Sequence, residues 1–433
     1  MKILSITAQK PHSTGSGTYL TELVHAWDRA GHSQAVVCGI YPDDEVSFPE
    51  GVSCYPVFFT DTAAPKAASS DTLFAPCKAR RSSGEIDALP YPIVGMSDIM
   101  PYTSTRYRDL TPPMISRFEE AFISAVSRAV STLDPDLIVC HHLFLLTALV
   151  RKHFPDRKIY GISHGTDLRQ MINCDNLREL VRPCIAGIDM ALALHEDQKD
   201  TIMDLFGLPE NKVIVIGSGY NDRLFNTDRR ASRTEIISIS EEKPVPVMIC
   251  YAGKMSRPKG VPELLKALSS LNEDPSVPYF EVTLAGGCQD EEVRKLLDNL
   301  PSNISWAGQI PQSHLADIFK YSDIFVLPSY FEGLPLVLIE AMASGAVPVS
   351  TDLPGVRPWI EANVPHQNAR FIPMPEMQSI DMPTESGKAE FTRHLTDVLR
   401  ELITDISDGT IDSTPPDTSG ITWAGVAERI LEI

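Results

Sequence analysis

Nowhere in the 433 residues is there an apolar run of the roughly 18 residues that a helix needs to cross a bilayer, and the first run, 3–7, breaks into Gln9-Lys10-Pro11. The expectation is a chain with neither a signal peptide nor a transmembrane helix. Positive charge is scarce as well: 38 Lys and Arg face 57 Asp and Glu, a net charge of −19, which disfavours a general attraction to nucleic acid or anionic lipid. Any phosphate ligand must then be held by a few local cations. The eight cysteines, at 38, 54, 77, 140, 174, 184, 250 and 288, include no Cys-x-x-Cys, and several lie in apolar strand-like runs. They read as reduced core thiols of a cytoplasmic protein. Asp-x-Asp occurs once, as Asp134-Pro135-Asp136 directly before the apolar run 137–141, so it falls at the end of a strand opposite to that where α/β sheets bind ligands. Neither a metal nor another cofactor is expected.

What is present is a globular composition, 43% hydrophobic and 22% charged, in a chain too long for one ordinary core. Apolar or β-branched runs recur at 3–7, 35–38, 137–141, 158–163, 190–194 and 213–216, and again at 247–252, 280–285, 304–307, 324–327 and 347–350. Near-continuous apolar strands separated by helix-length segments predict parallel sheets covered on both faces, here two doubly wound Rossmann-like α/β domains at about 1–222 and 246–410. The polar stretch 227–246 suits a linker between them. Residues 61–112, rich in Ala, Ser and Pro and holding Lys78-Ala79-Arg80-Arg81, exceed the usual connection and read as an insertion on the acceptor side. After the Pro/Ser/Thr-rich stretch 411–420, Trp423, Val426, Ile430 and Leu431 at helical spacing predict a last amphipathic helix over 421–433.

The chemistry lies at strand ends. After 247–252 comes Gly253-Lys254-Met255-Ser256-Arg257-Pro258-Lys259-Gly260, then Val261, Leu264, Leu265 and Leu268 in helical register. Three cations and a helix N-terminus suit a diphosphate, with a solvated basic loop as the bland alternative. After 324–327 comes Pro328-Ser329-Tyr330-Phe331-Glu332-Gly333-Leu334-Pro335, opening an apolar helix that carries Glu340. A carboxylate in such a helix needs a partner, and a ribose diol suits it as well as a pairing within the core would. Ser163-His164-Gly165-Thr166-Asp167-Leu168-Arg169 follows the run 158–163. His141-His142 lack a third ligand and read as rim or core. The loop Ser13-Thr14-Gly15-Ser16-Gly17 with Asp43 and Asp44 invites a dinucleotide reading, but Leu20 stands where the third glycine belongs.

Glu332 and Glu340 form an E-x7-E pair, and with the basic loop they closely resemble the family-4 retaining glycosyltransferases of GT-B fold, over most of the chain. The resemblance implies two Rossmann-like domains facing a cleft, a final helix crossing back to the first domain, and a nucleotide-sugar donor, UDP-, GDP- or ADP-linked, that yields a hexose-type sugar to a hydroxyl-bearing acceptor. It places Glu332 near the donor sugar and Glu340 on the ribose, and it puts Lys254 and Lys259 on the diphosphate. Lys254 stands where the family has Arg and cannot form its bidentate fork; Arg257 is the residue placed to compensate. By the same resemblance His164 faces the donor sugar, Gly15, Ser16 and Gly17 approach the donor, and Gln309 and Ile310 read the base. Phe331, Gly333, Leu334 and Pro335 frame the donor, and Asp167 and Arg169 are acceptor-side candidates. A nucleotide-sugar epimerase, a phosphorylase, for which no pyridoxal-phosphate lysine can be placed, and a non-catalytic sugar-nucleotide binder are the alternatives. Peripheral contact with a membrane, through a lipid-linked acceptor, stays open.

Overall fold

The computed structural model describes residues 1–61, 77–81, 84–98, 100–228, 230–231, 233–239, 244–379, 381–411 and 416–433. Part of the long segment 61–112, including 62–76, lies outside these residues. The chain divides into two compact units, Met1–Ser218 with Trp423–Ile433, and Gly219–Thr422.

The first unit is built on strands β1 (Lys2–Ile6), β2 (Ser33–Ile40) and β3 (Ser53–Phe58), followed by the hairpin β4 (Cys77–Arg81) and β5 (Gly84–Ala88) and the short pair β6 (Val94–Gly95) and β7 (Thr105–Arg106). Strands β8 (Leu137–His141), β9 (Ile159–Ile162), β10 (Met190–Ala193) and β11 (Val213–Val215) complete it. Its main sheet runs β11-β10-β9-β8-β1-β2-β3, parallel throughout. The strand order reverses between β1 and β8, so the loops leaving those two strands diverge and open a crevice beyond their carboxyl ends. The core joins Leu4, Ile6 and Val37 of the sheet to Phe118 and Phe122 of the helix Pro112–Leu133. Each such side chain contributes about 1.5–3 kcal/mol relative to exposure.

The last helix, Trp423–Glu432, belongs to this first unit. Trp423, Val426, Ala427 and Ile430 are buried, and the Trp27 indole N–H donates to Ala427 O at 3.1 Å. Trp423 packs edge-on against Tyr19 of the helix Gly15–Arg29, with ring centroids 4.6 Å apart.

The second unit holds β12 (Val247–Ala252), β13 (Phe280–Ala285), β14 (Ile304–Gly308), β15 (Ile324–Leu327), β16 (Val347–Thr351) and β17 (Arg370–Ile372). They run β14-β13-β12-β15-β16-β17, again all parallel, with the reversal between β12 and β15. Helices Val261–Asn272 and Glu385–Asp408 share its core through Leu264, Leu268, Leu395 and Leu399.

The stretch read as a linker is partly built into this unit. The Arg230 guanidinium donates to Phe319 O, Lys320 O, Ser322 O and Ser344 O at 2.8–3.3 Å, capping the carbonyl ends of the helices Gln312–Tyr321 and Leu336–Ala343. Arg233 donates to Val245 O and Pro246 O and pairs with the Asp323 carboxylate at 3.2 Å. Arg230 and Arg233 are anchors for carbonyls, which hydrophobic periodicity does not register.

Candidate active site

In the second unit the two motifs leave adjacent strands on either side of the reversal, so topology brings them together. The Lys259 ammonium lies 2.6 Å from a Glu332 carboxylate oxygen, both side chains about one-fifth exposed. Main-chain bonds fix the loops around this pair. Tyr330 N–H donates to Pro258 O at 3.0 Å. Gly260 opens the helix Val261–Asn272 at φ +65°, and a Cβ there would stand 2.0 Å from Pro328 O, so only glycine allows the approach of the second motif. The Tyr251 hydroxyl donates to Lys254 O at 2.8 Å; burial and then the Glu332 charge raise its pKa, so it remains a donor.

The neighbouring loops are tied in the same way. Gly286 N–H donates to Gly308 O at 2.7 Å, and Trp306 Nε1–H donates to Gly286 O at 2.8 Å, which sets the start of the loop carrying Gln309 and Ile310. Gly286, at φ +140°, sits where a Cβ would be 1.7 Å from Gly253 O.

Glu340 lies in the helix Leu336–Ala343, 3% exposed among Leu338, Ile339, Ala341 and Met342. The helix starts after Pro335, which supplies no side-chain cap, and Leu338 N–H is closed by Pro335 O at 3.1 Å; Phe331, Gly333 and Leu334 lie on the loop that leads into it. Arg257 does not share Lys259's partner. Its guanidinium is held by Asp290 at 3.0 Å and Glu292 at 2.9 Å, at the start of the helix Glu291–Leu297. Compensation for Lys254 would have to compete with two carboxylates.

In the first unit, the loop after β9 is folded around Asp167. This carboxylate is fully buried and accepts from Leu143 N–H at 2.7 Å, His164 N–H at 3.0 Å and the Ser163 hydroxyl at 3.1 Å. Such a residue braces the loops after β8 and β9 rather than facing a ligand. Arg169 lies on the same helix, Thr166–Asn173, and is partly exposed.

Next to Asp167 three histidines gather. His141 Nδ1 and His164 Nε2 are 3.1 Å apart, with rings stacked at 7°. His142 meets His164 edge-on at 4.9 Å, and Tyr19 does so at 5.1 Å. Burial, then the neighbouring ring of His142, lowers the His141 pKa to about 3. Burial first, then His142 and His141, pushes His164 down as well, so the group is uncharged at neutral pH. Sequence reading singled out His164 but set His141 aside. The signal available was position alone: His141 ends β8 and pairs in register with Ile162, the last residue of the adjacent parallel strand β9, and His164 follows two residues later.

Gly15, Ser16 and Gly17 open the helix Gly15–Arg29, where the Thr14 hydroxyl caps Gly17 N–H at 3.2 Å. Gly17 is packed so that a Cβ would lie 2.8 Å from Lys10 O, whereas nothing lies within 4 Å of one on Gly15. Asp134 caps the helix Pro112–Leu133, and Asp136 accepts from Lys2 N–H at 2.8 Å, which puts both at the amino ends of the strands.

Residues 232–381 match the family described as glycosyl transferases group 1. That segment of the second unit belongs to this family. The group 1 segment holds both motifs, from Lys254 to Glu340. The chain is 28% identical over 173 residues to mannosylfructose-phosphate synthase of Agrobacterium fabrum, covering 38% of this chain and 37% of that protein. The chain spans only about a quarter to a half of the length of such curated relatives.

Whole-chain likeness is structural. Sucrose-phosphate synthase from Thermosynechococcus elongatus superposes with a TM-score of 0.60 at 17% identity, covering 100% of this chain and 98% of that one. The Anabaena protein HepE in complex with UDP and glucose gives 0.55 at 14% identity with the same coverage. The fold is GT-B.

Proposed function

We propose that the chain is a retaining, metal-independent glycosyltransferase that moves a hexose-type sugar from a nucleoside-diphosphate sugar to a hydroxyl-bearing acceptor. The observation that carries this reading is the Lys259–Glu332 pair, 2.6 Å apart at the strand reversal of the group 1 segment, with Glu332 on the loop that leads into the helix Leu336–Ala343. An ammonium and a helix N-terminus can hold a diphosphate, and their charge counts most when it departs. Glu332 is placed to receive sugar hydroxyls once the diphosphate takes over Lys259. Glu340 supplies a desolvated carboxylate for the ribose diol. The separate placement of Asp134 and Asp136 at strand amino ends supports a diphosphate site that works without a divalent ion.

The test pairs a thermal-shift screen against UDP, GDP, ADP and TDP with an assay for nucleoside diphosphate released in the presence of each donor sugar and common acceptors. One nucleotide should raise the melting temperature by mass action, and its sugar should turn over in excess EDTA. Activity abolished by EDTA and restored by magnesium or manganese would overturn the assignment of the diphosphate to cations of the chain.

Glu340→Gln keeps the shape of the buried side chain and removes its charge. Losing a charge-assisted acceptor for the ribose should weaken donor binding roughly 10- to 100-fold, with the circular dichroism spectrum unchanged. Donor affinity equal to wild type by calorimetry would take Glu340 out of the site.

A further inference from the structure

We propose that His141 is a positioning residue that sets the tautomer of His164: its Nδ1–H donates to His164 Nε2, so that His164 carries its own hydrogen on Nδ1 and presents it, uncharged, to an oxygen of the bound substrate. The proposal rests on the reading of His164 as the histidine that meets the transferring sugar.

The 3.1 Å separation admits one hydrogen between the two rings. Two arrangements satisfy it. If His164 Nε2 donated, neutral His141 would have to hold its hydrogen on Nε2, which is buried and has no partner. An orphaned buried N–H is the costlier defect, so the hydrogen belongs on His141 Nδ1, and only a bare lone pair is left at Nε2. His164 Nε2 is then the acceptor, and the ring must be protonated on Nδ1. Free histidine in water favours the opposite tautomer, so the neighbour does the selecting.

The surroundings hold the pair in place. Tyr19 packs edge-on against both rings, at 6.1 Å from His141 and 5.1 Å from His164, and its hydroxyl is committed to Gly217 O at 2.9 Å. His164 N–H is fixed by Asp167, and His142 N–H by Ile162 O at 2.8 Å. His164 as a residue is less buried than His141 and His142, which leaves it within reach of a ligand. Burial keeps both rings neutral, so a second hydrogen does not enter the bridge.

Nuclear magnetic resonance of full-length protein labelled with 15N at histidine tests this directly, with His164 assigned from the spectrum of His164→Gln. Wild type should show a protonated Nδ1 and a bare Nε2 on His164 at neutral pH. His141→Phe should shift His164 toward the Nε2-protonated form and lower kcat about tenfold with little change in KM. His141→Asn, whose amide can stand in for Nδ1, should restore both. A His164 protonated on Nε2 in wild type, or one whose tautomer is the same in His141→Phe, overturns the proposal. Absence of transfer by wild type with every donor would sink the functional reading instead, and the tautomer measurement still decides the role of His141.

Discussion

Replacing Lys259 with Ala should lower the transfer rate by roughly 10²- to 10³-fold while the protein keeps its fold, the loss expected when one pre-organised donor to a developing anion is removed. Lys259 is bonded to Glu332, and the two side chains retain about one-fifth of their exposure. A pair this accessible contributes little to stability, on the order of 0–1 kcal/mol. The same ammonium facing a departing diphosphate is worth more, because charge grows on the leaving oxygen as the sugar bond breaks. The signature is therefore a split: a melting temperature within a few degrees of wild type and a kcat that collapses. Steady-state kinetics at saturating donor measure the second quantity. A kcat within threefold of wild type would mean that the loop is merely solvated, and that the diphosphate is held elsewhere.

Trp423→Ala should destabilise the first unit by about 3–5 kcal/mol, the range for truncating a fully buried aromatic side chain. Trp423 is 2% exposed and stacked edge-on to Tyr19, and its helix is further held by the Trp27 indole on Ala427 O and by Arg429 donating to Ile216 O at 3.0 Å. Losing the indole removes packing from one face of Tyr19, the same residue that rests on His141 and His164. In a domain of this size the melting temperature should fall by roughly 10 °C. Scanning calorimetry, with the two units' transitions resolved, checks it. A first-unit transition within 2 °C of wild type would show that the site collapses without cost and that the helix is only loosely attached.

Much of this architecture is legible in the sequence because central parallel strands are buried on both faces. Runs 137–141, 247–252, 280–285 and 324–327 coincide with β8, β12, β13 and β15. Two of the four edge strands, β3 and β17, are not legible in this way, whereas β11 and β14 are. β3 reads Ser-Cys-Tyr-Pro-Val-Phe, with only Val57 buried, and β17 is the three residues Arg-Phe-Ile, so neither presents a continuous apolar run. At the site, the partnership of Lys259 with Glu332 spans 73 residues and that of His141 with His164 spans 23. Both depend on which strands are neighbours, a fact of topology that no local pattern encodes. Arg257 illustrates the converse. Its place in a basic loop suggests a phosphate ligand, yet its neighbours in space are Asp290 and Glu292 at the start of the helix Glu291–Leu297.

The return of the last helix to the first unit also orders events on the ribosome. Everything from Gly219 to Thr422 must be made before Trp423 appears. At ordinary rates of synthesis that interval is roughly 10–40 s, during which the nascent first unit has its sheet but not its closing helix. Trp27 and Tyr19 then face water, and the histidine cluster beside Tyr19 has no backing. Competence of that cluster therefore waits until the group 1 segment has emerged complete.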